Sequence, residues 1–175
     1  FYLADSATLQ IVVMTSDGTF SKGHDLAPEL TAVEKELDPD HKKSHELEIS
    51  GFGVGHDGSI YFTVPTLFSA FRLNPNGFLD TFGVSGSAPG KFGVVSGIAA
   101  DDQRNIYVAD RLRSVVMIFD RTFNFLGEFG YRGDRSEDLI VPDDLALDQA
   151  NHRVFVSQAA NKGVGVYYVL VNQSR

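Results

Sequence analysis

Two histidines four residues apart, His41 and His45, have the spacing in this sequence that best fits metal chemistry. On a helix that spacing puts both imidazoles on one face, where Asp38, Asp40 or His24 could complete a zinc site. A solvated polar turn explains the same residues without any ligand. We expect the turn, and we predict no metal site and no cofactor.

Four acidic side chains and one amide form a second group of candidates: Asp57, Asp101, Asp102, Asp148 and Asn151. Such residues stabilise turns by accepting hydrogen bonds from nearby backbone amides, whereas carboxylates lining one face could instead hold a divalent cation. We expect turn chemistry. No Gly-x-Ser-x-Gly nucleophile elbow occurs, and the absence of cysteine excludes disulfides and thiol catalysis. No catalytic residue is predicted.

The overall composition is that of a soluble globular domain, with 43% hydrophobic and 22% charged residues among 175. No apolar run approaches the roughly 18 residues that a membrane helix requires. The net charge of −8 repels phosphate groups, and no basic patch offsets it. We therefore predict neither a membrane span nor nucleic-acid binding.

A short motif rich in aromatic and aliphatic residues occurs four times, as FYLAD, IYFTV, IYVAD and VFVSQ. Its aromatic anchors are Tyr2, Tyr61, Tyr107 and Phe155. An apolar residue stands twelve positions after each anchor: Met14, Leu73, Phe119 and Tyr167. The last three anchors are 46 and 48 residues apart. Four short strands at this period predict the blades of a β-propeller, because so small a sheet must pack on its neighbours.

The stretch 85–130, with GIAADDQRNIYVADR and FLGEFG, resembles the NHL repeat of six-bladed β-propellers. The resemblance covers most of the chain. It implies an all-β propeller with four-stranded antiparallel blades. About three to four blades are then present, formed by the repeats 1–20, 49–83, 92–130 and 139–172. Asp5 and Asp110 keep the Asp of the family pattern, whereas Val64 and Gln158 replace it.

An insert at 21–48 interrupts the repeat. Leu26, Leu30, Val33 and Leu37 step by four, three and four residues, which predicts a short amphipathic helix around 26–37. Asp25 is placed to cap this helix. Its apolar stripe either packs on the propeller or docks a partner.

Some fourteen strands fit in the sequence, whereas six blades of four strands need roughly 24. We therefore expect the chain to be part of a longer protein or of a ring that a second chain completes. A closed four-bladed ring is the alternative. An open arc would expose sheet faces that favour association.

The loops 46–51, 90–97 and 137–144 lead into the first strand of successive blades and mix apolar residues with carboxylates. This composition is typical of a polar-rimmed surface that binds protein. We predict binding residues there: Phe92, Val94, Ile140, Pro142 and Asp143. Alternatively, Phe92 and Ile140 pack between blades.

These observations predict a non-enzymatic, protein-binding scaffold within a larger chain or complex. Its partner is another protein or the remaining blades of the same ring. The alternative is a metal-dependent propeller hydrolase or lyase, similar to propeller lactonases or to peptidylglycine lyases. The resemblance also implies an extracytoplasmic, periplasmic or secreted location, which the composition neither supports nor contradicts.

Overall fold

The computed structural model describes residues 1–37, 39, 46–159 and 163–171. Within these residues the chain forms fourteen strands in four antiparallel sheets. Every sheet follows chain order, so each is a meander of the kind that the repeat predicts. The predicted all-β fold is confirmed. We refer to the four sheets, in chain order, as blades 1 to 4.

Blade 1 has three strands and blade 2 has four. The strands of blade 1 are β1 (Tyr2–Asp5), β2 (Gln10–Met14) and β3 (Phe20–Asp25). Those of blade 2 are β4 (Phe52–Val54), β5 (Ile60–Val64), β6 (Ser69–Leu73) and β7 (Leu79–Phe82). Strand β3 takes up the start of the segment 21–48 that the sequence marks as an insert.

Blade 3 has four strands and blade 4 has three. The strands of blade 3 are β8 (Val95–Ala100), β9 (Ile106–Asp110), β10 (Val115–Phe119) and β11 (Phe125–Gly130). Those of blade 4 are β12 (Pro142–Asp148), β13 (Arg153–Gln158) and β14 (Gly163–Tyr168).

The repeated motif forms the second strand of blades 2 to 4, and in blades 2 and 3 it is covered on both faces. All five residues of β5, β9 and β10 are buried, although successive side chains of a strand point to opposite faces. This double burial explains why the motif is apolar throughout rather than alternating with polar residues. In β9 and β10, Ile106 lies opposite Phe119 and Tyr107 lies opposite Ile118.

Three hydrophobic clusters join successive blades. Between blades 1 and 2, the rings of Phe62 and Phe71 stack 5.0 Å apart. Between blades 2 and 3, Phe92 packs edge-on against Phe82 and Phe119. The third cluster joins blades 3 and 4 around Leu139. Face-to-face packing of this kind is how each small sheet obtains a core.

The strands that begin blades 2, 3 and 4 approach one another closely. A Cβ on Gly97 would lie 2.5 Å from the Cα of Asp144, which begins the equivalent run in blade 4. A Cβ on Gly51 would overlap the carbonyl oxygen of Ser96 in the same way. Glycine at these positions therefore lets neighbouring blades converge without steric overlap.

The predicted helix is present as α1 (Ala27–Leu37). Oδ1 of Asp25 accepts a hydrogen bond from the amide of Ala27 at 3.1 Å, at the start of the helix. Leu26 and Leu30 are buried in the cluster between blades 1 and 2, whereas Leu37 is exposed. The apolar stripe of α1 thus packs on the propeller along most of its length.

Candidate functional site

The candidate site lies on the upper face, which we define by the loops 46–51, 90–97 and 137–144. Turns 5–9, 65–68 and 111–114 reach the same face, because each lies between a strand that ends there and the strand that leaves it. The opposite side, with turns 55–58, 101–104 and 149–152, is the lower face.

Two residues predicted to bind a partner on the upper face are buried. Phe92 is completely inaccessible and fills the space between blades 2 and 3, as the alternative interpretation required. Pro142 is buried at the start of β12. Neither side chain offers a surface to a partner. Val94, Ile140 and Asp143 remain half-buried at the upper face.

Asp110 holds the loop that leads into blade 3. Its buried carboxylate accepts hydrogen bonds from the amides of Gly93 at 2.5 Å, Val94 at 3.1 Å and Arg113 at 2.9 Å. In blade 4, Oε1 of Gln158 accepts from the equivalent amide, that of Ile140, at 2.7 Å. A neutral amide oxygen therefore replaces the carboxylate there and accepts one of the equivalent bonds.

Side-chain hydroxyls tie each blade to the next one at the upper face. Ser6 donates to the carbonyl of Ile49 at 2.6 Å, and Thr63 donates to the carbonyl of Ser96 at 2.6 Å. Ser96 in turn donates to the carbonyl of Pro142 at 2.9 Å. These bonds are each made by a buried or partly buried hydroxyl, so they fix the spacing of the blades beneath the face.

An acidic cleft of about 580 Å³ opens between blades 1, 2 and 3 on this face. Glu46, Glu48, Ile49, Thr66 and Arg111 are among the residues that line it. Ser6 donates a hydrogen bond to Glu48 at 3.1 Å, whereas neither glutamate forms an ion pair with any residue of the described ranges.

Arg111, by contrast, pairs with the half-exposed carboxylate of Asp143 in blade 4. Because the arginine lines the cleft in blade 3 and its partner belongs to blade 4, this ion pair connects the cleft to the next blade.

A second depression, the apolar groove, lies farther out between blades 2 and 3 and has a volume of about 740 Å³. Phe68, Pro89, Leu112 and Tyr131 line it, and all four are exposed. Three of these side chains lie on loops that the sequence analysis did not select, just after β5, β9 and β11. The turn directly after each repeated motif is the signal that could have found Phe68 and Leu112.

The acidic residues of the lower face act in turns, as expected. Asp101 accepts from the amides of Gln103 and Asn105, and Asp148 accepts from the amide of Asn151. Burial raises the pKa of Tyr107, and the neighbouring Asp101 carboxylate raises it further.

Asp57 and Asp102 also have partners on the lower face. Asp57 accepts from the amide of Ser59 at 3.0 Å. Nε2 of His56 lies 2.7 Å from Asp102, so this pair links blades 2 and 3.

No metal site is formed by the described residues, among which no three His, Cys, Asp or Glu side chains are grouped closely enough to bind an ion. His41 and His45, with Asp38 and Asp40, lie outside the described residues. Burial lowers the pKa of His24, with a smaller contribution from Lys22, and its Nε2 is buried without a hydrogen-bond partner. The same described ranges contain no helix of sufficient length and apolar character to cross a membrane.

Comparison with known proteins supports a propeller. No family model matches the chain. The protein brain tumor of Drosophila melanogaster is 32% identical over 77 residues, which cover 44% of this chain and 7% of that protein. The chain therefore spans a small part of this relative's length.

Solved structures show the same fold over nearly the whole chain. Virginiamycin B lyase from Staphylococcus aureus aligns with a TM-score of 0.56 at 12% identity, over 98% of this chain and 52% of the lyase. A chain of the nidogen/laminin complex aligns with a TM-score of 0.62 at 14% identity, over 94% of this chain and 55% of its own. The present chain thus spans about half of each, and identities this low establish the fold alone.

Four stacked meanders with closely approaching inner strands define these residues as blades of a β-propeller. Its repeated motif and its curated relative support the resemblance of these blades to NHL-repeat β-propellers.

Proposed function

We propose that the chain is a non-enzymatic scaffold that binds a partner protein on its upper face, within a larger chain or complex. The observation that carries this proposal is the acidic cleft, which spans three blades and has exposed carboxylates beside apolar and hydroxyl groups. Clefts with this mixture suit protein partners, because apolar contacts supply affinity while polar groups supply specificity.

The blades beneath the cleft are suited to a rigid platform. Asp110 and Gln158 tether the loops into blades 3 and 4, and Ser6, Thr63 and Ser96 tie each blade to the next. A preorganised surface binds with a smaller loss of conformational entropy, which favours affinity. The solved nidogen/laminin complex is a case in which a propeller chain of similar fold occurs with another protein.

The outer faces of the terminal blades support a second part of the proposal, that further blades of the same ring cover them. Leu3 in β1 is 55% exposed, and Val166 and Tyr168 in β14 are 49% and 78% exposed. In blades 2 and 3 the equivalent strands are buried by a neighbouring blade. No hydrophobic cluster among the described residues joins blade 4 back to blade 1.

A metal-dependent hydrolase or lyase is the second candidate function, and the fold shared with virginiamycin B lyase favours it. Metal analysis of the purified natural protein tests it. A stoichiometric divalent ion, together with an activity that is lost with the ion on chelation, would establish the enzyme and overturn the scaffold proposal.

Site-specific photo-crosslinking tests the scaffold. A photoreactive amino acid replaces exposed Thr66 in the acidic cleft, and in a matched protein it replaces exposed Gln103 on the lower face. We expect one discrete protein adduct from the Thr66 position in extracts of the native source, and none from Gln103. Adducts of equal yield at both positions, or no adduct at Thr66, would overturn the proposal.

A charge-reversed double variant provides the specificity control. Glu46→Lys combined with Glu48→Lys should abolish the Thr66 adduct if the cleft itself recognises the partner, because both carboxylates line it. The double variant must retain the circular dichroism spectrum of the unchanged protein.

A further inference from the structure

The apolar groove between blades 2 and 3 is an exposed hydrophobic surface with a defined shape. Phe68 is 41% exposed, Leu112 is 68% exposed and Tyr131 is 56% exposed, and all three side chains line it. Large apolar side chains gathered in one depression differ from scattered exposed ones, because a partner can remove them from water together. The groove thus fits one bulky apolar side chain.

Glu128 adds an unsatisfied acceptor to the wall of the groove. Its side chain is 5% exposed, and Oε1 accepts a hydrogen bond from Nη2 of Arg113 at 2.8 Å. Oε2 is buried and has no hydrogen-bond partner. A buried carboxylate oxygen without a donor is unfavourable, so a donor from a ligand would be stabilised here.

The groove and the acidic cleft are lined by residues that are close neighbours along the chain. Arg111 lines the cleft and Leu112, the next residue, lines the groove. On the blade 2 side, Thr66 lines the cleft and Phe68 lines the groove. A residue of extended chain spans roughly 3.3 Å, so a bound peptide of a few residues can reach both depressions.

The charges along this path favour a cationic ligand. Arg111 is paired with Asp143 and Arg113 with Glu128, so both arginines are already compensated. Glu46 and Glu48 are exposed and have no cationic partner among the described residues, and the chain carries a net charge of −8. Lys91 and Arg132 are the chain neighbours of the groove residues Phe92 and Tyr131, so the attraction for a cation is strongest toward the cleft.

We infer that the upper face binds an extended peptide segment of a partner protein, in which a bulky apolar residue lies close to a lysine or arginine. The apolar side chain occupies the groove between Phe68, Leu112 and Tyr131. The basic residue lies over the acidic cleft beside Glu46 and Glu48, and peptide or side-chain N–H groups approach Glu128. This inference rests on the proposed scaffold function and names the class of ligand that it recognises.

Selection from a phage-displayed library of random linear peptides on the immobilised natural protein tests the inference. We expect the enriched peptides to share an aromatic or large aliphatic residue with a basic residue close to it. Binding of a labelled consensus peptide should weaken as the salt concentration rises, because its basic residue faces exposed carboxylates. Enrichment of acidic peptides, or of none, would overturn the inference.

Two variants then locate the peptide. Leu112→Asp places a charge in the groove and should weaken consensus binding about tenfold or more. Phe78→Asp is the matched control, since Phe78 is 63% exposed but lies on the lower face in the turn between β6 and β7. We expect unchanged affinity for the control. Equal effects of the two variants, or no effect of Leu112→Asp, would overturn the groove assignment.

The failure of this inference is distinct from that of the scaffold proposal. If Thr66 still yields a discrete protein adduct while Leu112→Asp leaves that adduct and the consensus peptide unaffected, the scaffold stands and the peptide class is wrong. If Thr66 yields no adduct at all, the scaffold proposal itself fails.

Discussion

Asp110, at the end of β9, binds the amide of Gly93 at 2.5 Å, although the two residues belong to different segments of blade 3. The same carboxylate also accepts from Val94 and from Arg113 in the following turn. One buried side chain therefore joins the loop that begins the blade to the turn that connects its two central strands. Replacing Asp110 should therefore disturb both that loop and that turn.

Asp110→Asn should lower the free energy of unfolding of the propeller by about 2–4 kcal/mol. Asparagine has one acceptor oxygen, and its amide group would face backbone N–H donors. Urea unfolding measures the loss, and hydrogen exchange should accelerate at Gly93 and Val94. Asp134→Asn, at an exposed position, should change stability by less than about 0.5 kcal/mol. Equal midpoints for the two variants would contradict the tethering role.

Gly97→Ala should destabilise the protein by about 1–3 kcal/mol, because the added methyl group would meet the backbone of Asp144 in the next blade. Gly127→Ala is the control, since no atom lies within 4 Å of a Cβ added there. The control should be neutral or slightly stabilising. Thermal unfolding of both variants measures the difference, and an unchanged midpoint for Gly97→Ala would show that the inner strands are not closely packed.

The turn between β10 and β11 should show an unusually acidic carboxylate. Burial acts to raise the pKa of Asp120, but hydrogen bonds from Asn124 and Thr122 outweigh it and lower the pKa to about 2. Because the folded pKa lies below the ordinary value of 3.8, this carboxylate stabilises the fold fully above about pH 3.8. The contribution is lost as the pH falls toward 2.

NMR titration of the Asp120 carboxyl measures this shift. Asn124→Ala removes the bonds that the asparagine side chain donates at 2.8 Å to Asp120 and at 2.9 Å to Thr122, and it should raise the pKa of Asp120 toward 3.8. Acid unfolding of this variant should correspondingly depend less on Asp120 between pH 2 and 4. An identical pKa in the two proteins would exclude the bond from the Asn124 side chain as a cause.

The buried ion pair between Arg113 and Glu128 should show strong coupling. Arg113→Met leaves the carboxylate buried without its cation and should cost about 3–5 kcal/mol of unfolding free energy. Adding Glu128→Gln removes the uncompensated charge, so the double variant should recover at least about 1 kcal/mol. Urea unfolding of the two single variants and the double variant gives the coupling free energy between Arg113 and Glu128. Strictly additive losses would show that the pair does not interact energetically.

Local sequence patterns were enough to predict the blades and the helix. The motif around Tyr61, Tyr107 and Phe155 predicted the second strand of each blade, because β-branched and aromatic residues bounded by turn residues favour strands. The spacing of Leu26 and Leu30 predicted α1 in the same way. These features depend on neighbours within a few residues, which the sequence displays directly.

The surface was harder to predict because it depends on how blades stack. Phe92 lies in a loop between a glycine pair, and only the packing of blade 2 on blade 3 shows that its ring is buried against Phe82 and Phe119. Gln158 was seen as a departure from the repeat, yet its amide oxygen binds the loop as a carboxylate would. Local sequence does not reveal which residue of another segment or blade a side chain will contact.

By itself, the sequence determined the period of the repeat, the all-β class and the helical insert, because each follows from side-chain periodicity and turn chemistry along the chain. The tertiary structure alone decided that Arg111 pairs with Asp143, 32 positions away, and that Glu48, Thr66 and Arg111 line one cleft. Those relationships arise where separate blades converge, and convergence is set by the packing of whole sheets rather than by any local pattern.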